Sequence, residues 1–232
     1  MTQRPYPFNL LDKCHVDFDE NQPFEIFETD ARSLLSHKRF DLYAILLYID
    51  HKVKGLDTAY ALEVYRERTR AVTGFSFKEA GNDLKNSFAK FIETLDKLIE
   101  IFSAGSFDPN LSIIPVDKNN VLIDGAHRVA CAAYFNKTVT IARFTTMSTD
   151  FNVNYLLLKE KFVPNAALDA MALEYCKYHK NIYMLVFWPK SFKNESAIKK
   201  AFKHVESKSN IAYRKKMKLN YTGTRNLILQ IY

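Results

Sequence analysis

Three apolar residues, Val121, Leu122 and Ile123, run straight into Asp124-Gly125 and then into a small-residue stretch, so that the chain reads VLIDGAHRVACAAY from Val121 to Tyr134. A short buried strand turning through glycine into an Ala-rich helix constrains the fold strongly, because such a helix can pack closely only against a sheet. The polar residues Asp124, His127 and Arg128 therefore fall on the turn between the two elements and on the first turn of the helix.

The flanks extend this pattern. Upstream, Leu84, Phe88, Phe91, Leu95, Ile99 and Phe102 recur at spacings of three and four, the mark of an amphipathic helix, and Gly105 ends it. LSIIPVD then reads as a strand, Lys118-Asn119-Asn120 as a turn, Val121 to Ile123 as a second strand, Ala126 to Phe135 as a helix and TVTIARF as a third strand. Residues 84 to 144 thus spell helix, strand, turn, strand, helix, strand.

Residues 1–27, with Pro5, Pro7 and Pro23, read as an extended arm. From Glu28 to Gly74 the pattern is helical, with RFDLYAILLYIDHK and LDTAYALEVYRERTRAVTG as two helices, the second capped by Asp57. Residues 151–232 read as a second small α/β section. In it NAALDAMALEYCKYH and SAIKKAFKHV are helices, NIYMLVFWP is a buried strand stopped by Pro189, NIAYRKKMKL alternates like a strand, and TRNLILQIY opens a helix. That last helix is cut off, which suggests a fragment of something longer or a native C-terminal helix docked on the core. The fold class expected is α/β (α+β), with a helical N-terminal section resting on a mixed-sheet core that ends near residue 150.

Composition bounds the function classes. A hydrophobic content of 47% with 25% charged residues is globular, and 18 Phe and 13 Tyr favour helices with aromatic packing. Three widely spaced cysteines, Cys14, Cys131 and Cys176, make neither a disulfide framework nor a zinc knuckle. The N-terminal residues lack an apolar targeting segment and no stretch is long enough to span a bilayer, so a soluble, cytoplasmic protein without a membrane partner is expected. The net charge of +7 is concentrated between Lys190 and Lys218, with Lys199, Lys200, Lys203, Arg214, Lys215 and Lys216 among the contributors. A solvated basic face is the first reading of that excess, and a nucleic-acid contact the second. The histidines outside the turn have no metal-ligand spacing.

At Asp124–Arg128 the chemistry is that of an anion site. A helix start leaves backbone N–H groups unpaired beside the positive end of the helix dipole, and phosphates bind there. Gly125 permits the sharp turn, and His127 and Arg128 add donors, the arginine with a fork suited to two oxygens. Asp124 is the discordant member, since a carboxylate beside a phosphate must hold a cation, a substrate hydroxyl or Arg128. The competing reading has Asp124 capping the helix, His127 on the surface and Arg128 paired with an acid. No Walker A loop, GxGxxG, HExxH or GxSxG is present.

In its order of parts, ETLDKLIEIFSAGSFDPNLSIIPVDKNNVLIDGAHRVACAAYFNKTVTIARF resembles the core of the ParB/sulfiredoxin superfamily over roughly residues 90–145. Sulfiredoxins carry a catalytic cysteine where this chain has Ala126, so the resemblance does not imply that activity. The Asp-Gly-x-His-Arg box is similar to that of the free-serine-kinase branch of the fold. On that resemblance Gly125, Ala126, His127 and Arg128 would hold nucleotide phosphates, and Asp124 would stand near the acceptor hydroxyl or a magnesium ion. Those kinases take a glutamate from an earlier segment as base. Glu79 is the candidate here, with Lys85 as a further phosphate cation; an ordinary first-turn acid is its other reading. The function so implied is a kinase-like phosphotransferase acting on ATP or ADP with Mg2+ and passing phosphate to a hydroxyl of a small molecule, amino acid or sugar. The alternatives are a ParB-like DNA-binding protein or nuclease, and a non-catalytic nucleotide-binding module of a longer protein.

Overall fold

The structure, a computed structural model, describes residues 6, 8, 10, 11, 19, 21–109, 112–149 and 152–215. Within them lie β1 (Phe24–Asp30), a 3-10 turn at Ala31–Leu34, α1 (Leu42–Val53), α2 (Ala59–Val72), α3 (Phe88–Ser103), β2 (Ile114–Val116), α4 (Ala126–Tyr134), β3 (Thr138–Phe144), α5 (Tyr155–Glu160), α6 (Asn165–Tyr178) and α7 (Glu195–Lys208). These helices around one small mixed sheet make the chain an α/β (α+β) protein.

The sheet order is β1-β3-β2. β3 lies in the middle, antiparallel to β1 with Phe27 opposite Ile141, and parallel to β2 with Ile114 opposite the same Ile141. Two parallel neighbours need a crossover, and α4 supplies it. Its inner face is small enough for close approach: Val129, Ala130, Cys131, Ala132 and Ala133 are all fully buried. Between β2 and the α4 turn, the buried Asp117 closes a tight loop by accepting from the backbone N–H of Asn119 and of Val121, each at 2.8 Å. Asn120 takes the left-handed conformation, φ 58°, that this loop requires. Leu122 forms only a bridge to Val116, so the second strand expected at Val121–Ile123 is reduced to one rung.

α1 is buried along Leu42–Asp50, the pattern of a helix covered on all sides. It packs against α2, α4 and α6. Where α1 meets α6, Lys177 bridges Asp50 at 3.1 Å and Glu174 at 2.6 Å.

Several elements differ from expectation. Phe24–Asp30 is a strand, not the end of an arm or the start of a helix, because FEIFETD finds a pairing edge on β3 far away in sequence. α3 begins at Phe88 with Ser87 as N-cap, since residues 79–85 close on themselves. α5 and α6 contact α2 and α1, so they join the preceding core; the compact units are Met1–Phe187 and Trp188–Tyr232. NIYMLVFWP is not a buried strand: its residues 181–188 have no regular structure, with Tyr183 88% and Leu185 61% exposed, and Pro189 opens a short 3-10 turn, Pro189–Ser191. An apolar run becomes a strand only by pairing, and no described strand pairs with it.

In the second unit, α7 opens on Asn194, whose side chain accepts from Ala197 N–H at 2.9 Å, and it has no buried residue. Part of its basic excess is neutralised locally, with Lys199 3.4 Å from Glu195 and Arg214 3.0 Å from Glu206. Lys216, Lys218 and TRNLILQIY, like Cys14, lie outside the described residues.

Candidate functional site

Gly125 is the N-cap of α4, at φ 88° and ψ 27°, and with no side chain it caps nothing. The first intrahelical bond runs from Val129 N–H to the Gly125 carbonyl at 3.0 Å. By helix geometry the N–H groups of Ala126, His127 and Arg128 have no intrahelical acceptor. The Arg128 guanidinium folds back over this start: a β-carbon placed on Gly125 would lie 3.2 Å from its Nη2. Asp124 stands beside it, with Oδ2 3.9 Å from Arg128 Nη2, at the outer limit of an ion pair. Their side chains are 23% and 12% exposed respectively, so the pair is partly shielded yet reachable from solvent.

Gly125 is required twice here, by its left-handed backbone and by the close guanidinium. Gly125→Ala is expected to cost about 1–2 kcal/mol of stability, read from the shift of a denaturation midpoint, and to push the Arg128 fork off the turn. An unchanged midpoint would contradict the positive φ.

His127 does not behave as the surface cation that the sequence suggests. Its side chain is buried, its Nε2 lies 2.6 Å from the Tyr65 hydroxyl, and the rings of Tyr65 and Phe91 pack on it at 5.9 and 6.1 Å. Burial first, then the positive charges of Lys85, Arg68 and Arg128 against the opposing Asp41, hold its pKa well below the ordinary histidine value. The imidazole is therefore neutral, and Arg128 carries the positive charge of the turn.

Behind the turn is a buried ionic cluster that sequence reasoning missed. Asp41, fully buried, accepts from Arg39 Nε at 2.8 Å and Nη2 at 3.1 Å, and from Arg68 through Nε at 3.1 Å and through Nη2. Arg39 Nη1 also donates to the Leu122 carbonyl at 2.8 Å, two residues before Asp124. Burial alone would raise the Asp41 pKa, but the two guanidiniums bring it down to about 2. The signal was present as the charged Arg39 and Asp41 ahead of an otherwise apolar helix, and as Arg68 in register with Ala61, Val64 and Tyr65 on the buried face of α2.

Glu79 and Lys85 sit in one closed loop. Glu79 N–H donates to the Lys85 carbonyl at 2.9 Å, Lys85 Nζ is 3.0 Å from Glu79 Oε2, and Asn82 Nδ2 donates to the same carboxylate at 3.1 Å. This loop borders the His127 pocket. Phe91 lies under both Lys85 Nζ, 5.7 Å from the ring centroid, and the imidazole, while the Glu79 charge acts on Tyr65. The fold therefore brings Lys85 and Glu79 to the neighbourhood of His127, although their direct partners are each other.

Other chemistry is less well supplied. Cys131 is buried within α4 and burial pushes its thiol pKa up, so it packs as a small apolar residue. Among the described residues no three His, Cys, Asp or Glu side chains gather as a metal cluster. Asp124 alone suits a magnesium ion held mainly by phosphate oxygens and water. A small hollow of about 90 Å3 lies at Phe102, Gly105, Phe107, Pro109, Lys137 and Thr138, away from this turn; it holds no carboxylate, and chemistry rather than concavity marks the candidate site.

The fold and the turn together define an α/β protein with a glycine-started helix roofed by an arginine. Comparison with protein-family models, with curated proteins and with solved structures finds no match to this chain.

Proposed function

We propose that this chain is a nucleotide-binding phosphotransferase of ParB/sulfiredoxin-like type, passing phosphate from ATP or ADP to a hydroxyl of a small molecule, amino acid or sugar. The observation that carries the reading is the Arg128 guanidinium folded over the Gly125-capped start of α4 with Asp124 at its side. Phosphoryl transfer needs positioned cations around the phosphates and a carboxylate near the attacking oxygen, with little covalent participation from the protein.

In this reading the N–H groups of Ala126, His127 and Arg128 hold a terminal phosphate, and the guanidinium takes two of its oxygens. Asp124 orients the acceptor hydroxyl or holds Mg2+, which when bound would neutralise phosphate charge. Lys85 adds a second cation once released from Glu79, and the freed Glu79 carboxylate serves as the base that accepts the hydroxyl proton. Among the described residues no helix is long and apolar enough to cross a membrane, and nucleotide chemistry is suited to the cytoplasm.

Ligand linkage tests the binding step. With Mg2+ and ADP or ATP at a hundred times its dissociation constant, unfolding free energy should rise by about 2.7 kcal/mol, seen as a higher Tm. Phosphate transfer should then appear as a new phosphomonoester signal when ATP is incubated with mixed amino acids and sugars. No rise with any nucleotide at millimolar concentration would overturn both the kinase-like reading and that of a non-catalytic nucleotide-binding module.

A further inference from the structure

We infer that the segment Ile182–Trp188 docks this chain on an anionic lipid surface, its apolar side chains entering the headgroup layer and nearby lysines meeting the lipid charge, a role separate from the chemistry of the 125–128 turn. Ile182, Tyr183, Met184, Leu185, Val186 and Trp188 are between 42% and 88% exposed, six large apolar side chains within seven consecutive residues. Single apolar residues on a surface are ordinary, but a continuous exposed run marks a contact surface. The run is too short to cross a bilayer: seven extended residues reach at most about 25 Å, against a hydrocarbon core of about 30 Å. It therefore lies on the surface, where its backbone N–H groups stay hydrated.

Charge decides what covers the run. Lys180 stands just before it and Lys190 and Lys193 just after it, all three exposed. Residues 188–232 hold eleven of the 33 Lys and Arg but two of the 26 Asp and Glu, so the positive excess of the chain follows the run. α7 adds charge without apolar surface: every exposed residue on it is polar, Lys199, Lys200 and Lys203 among them, while Ile198, Phe202 and Val205 are half-buried. The apolar surface thus comes from residues 182–188 and the charge from the lysines that flank and follow them.

An anionic bilayer is complementary to both features. It takes up apolar side chains at its headgroup boundary, and each basic residue near its surface strengthens binding about fivefold. Tryptophan is favoured at headgroup level, and Trp188 sits where the apolar run gives way to lysines, its carbonyl accepting from Ser191 N–H at 2.9 Å in the Pro189–Ser191 turn. A nucleic acid would meet the lysines and stack on Tyr183 or Trp188. It would gain nothing comparable from Ile182, Met184, Leu185 and Val186, which offer its bases no ring to stack on.

Trp188 is the one tryptophan of the chain, so its fluorescence reports on the run directly. The full chain is titrated with vesicles of phosphatidylcholine containing about 30% phosphatidylserine, and with phosphatidylcholine alone. With the anionic vesicles the emission should move to the blue, be quenched by lipids brominated in their acyl chains, and lose the effect as salt is raised. Tyr183→Ser together with Leu185→Ser should weaken vesicle binding about tenfold or more, and Lys190→Glu together with Lys193→Glu about twenty-five-fold or more, with circular dichroism unchanged. No shift with anionic vesicles overturns the inference, as does equal binding to phosphatidylcholine alone or binding that survives the loss of Tyr183 and Leu185. A lipid-free chain that sediments as a dimer with Trp188 already blue-shifted would assign the run to a second copy, and salt-dependent binding of single-stranded DNA without vesicle binding would assign the lysines to nucleic acid; either result overturns it. If a variant does not fold, quenching of Trp188 in the unaltered chain by brominated lipid decides the matter by itself.

Discussion

Asp41→Ala is expected to destabilise the fold by about 3–5 kcal/mol, the range for breaking a buried ion pair from one side. The carboxylate is 0% exposed and is the shared partner of Arg39 and Arg68, themselves 2% and 5% exposed. Its loss would leave two guanidiniums in the core without their counter-charge, and Arg39 would no longer be held against the Leu122 carbonyl. A urea titration followed by circular dichroism measures the change; a loss under about 1 kcal/mol would place the cluster among ordinary surface ion pairs. The pH dependence has a definite sign. Because the folded pKa of about 2 lies below the ordinary aspartate value of 3.8, the stability this group provides is complete above pH 4 and is lost as pH falls toward 2. A chain with Asn at 41 should show no such loss from this position.

The second large effect concerns ligand binding. Arg128→Ala removes the guanidinium folded over the α4 start, and hydrogen bonds to charged groups are worth about 1.5–3 kcal/mol. Nucleotide affinity should fall about ten- to a hundredfold, measured by calorimetry with ADP and Mg2+. Arg128→Lys should recover only part of it, because an ammonium keeps the charge and loses the fork. Unchanged affinity in both variants would remove Arg128 from the site. Charge reversal at Lys199 and Lys200 on α7 is the control. It should leave ADP binding intact, whereas a nucleic-acid binder would lose a salt-dependent affinity through those lysines.

The turn itself was legible in the sequence because local signals agree there. A strand-length apolar run, Asp-Gly and an Ala-rich run each point to the same strand-to-helix junction, and α4 starts at Ala126 as they require. α3, β2 and β3 were legible for the same reason, each carrying its own local period or apolar run. What escaped was set by distant partners. Phe24–Asp30 is a strand only because β3 offers it an edge more than a hundred residues further along the chain. The Asp41 cluster joins residues 39, 41, 68 and 122, whose proximity no local period encodes. His127 illustrates the same limit, since its position on the first turn of α4 suggests solvent, while α2 and α3 cover it with Tyr65 and Phe91. The exposed run Ile182–Val186 is the reverse case, an apolar segment whose strand-like composition meets no described partner.

The most direct measurement is a crystal structure of this chain with ADP and Mg2+ bound. The terminal phosphate is expected within hydrogen-bonding distance of the backbone N–H groups of residues 126–128 and of both Arg128 terminal nitrogens, with Asp124 facing the magnesium ion or the vacant acceptor position. Nucleotide phosphates seated elsewhere, on the α7 lysines for example, with Arg128 still folded over an empty turn, would contradict the assignment of this turn as the phosphate site.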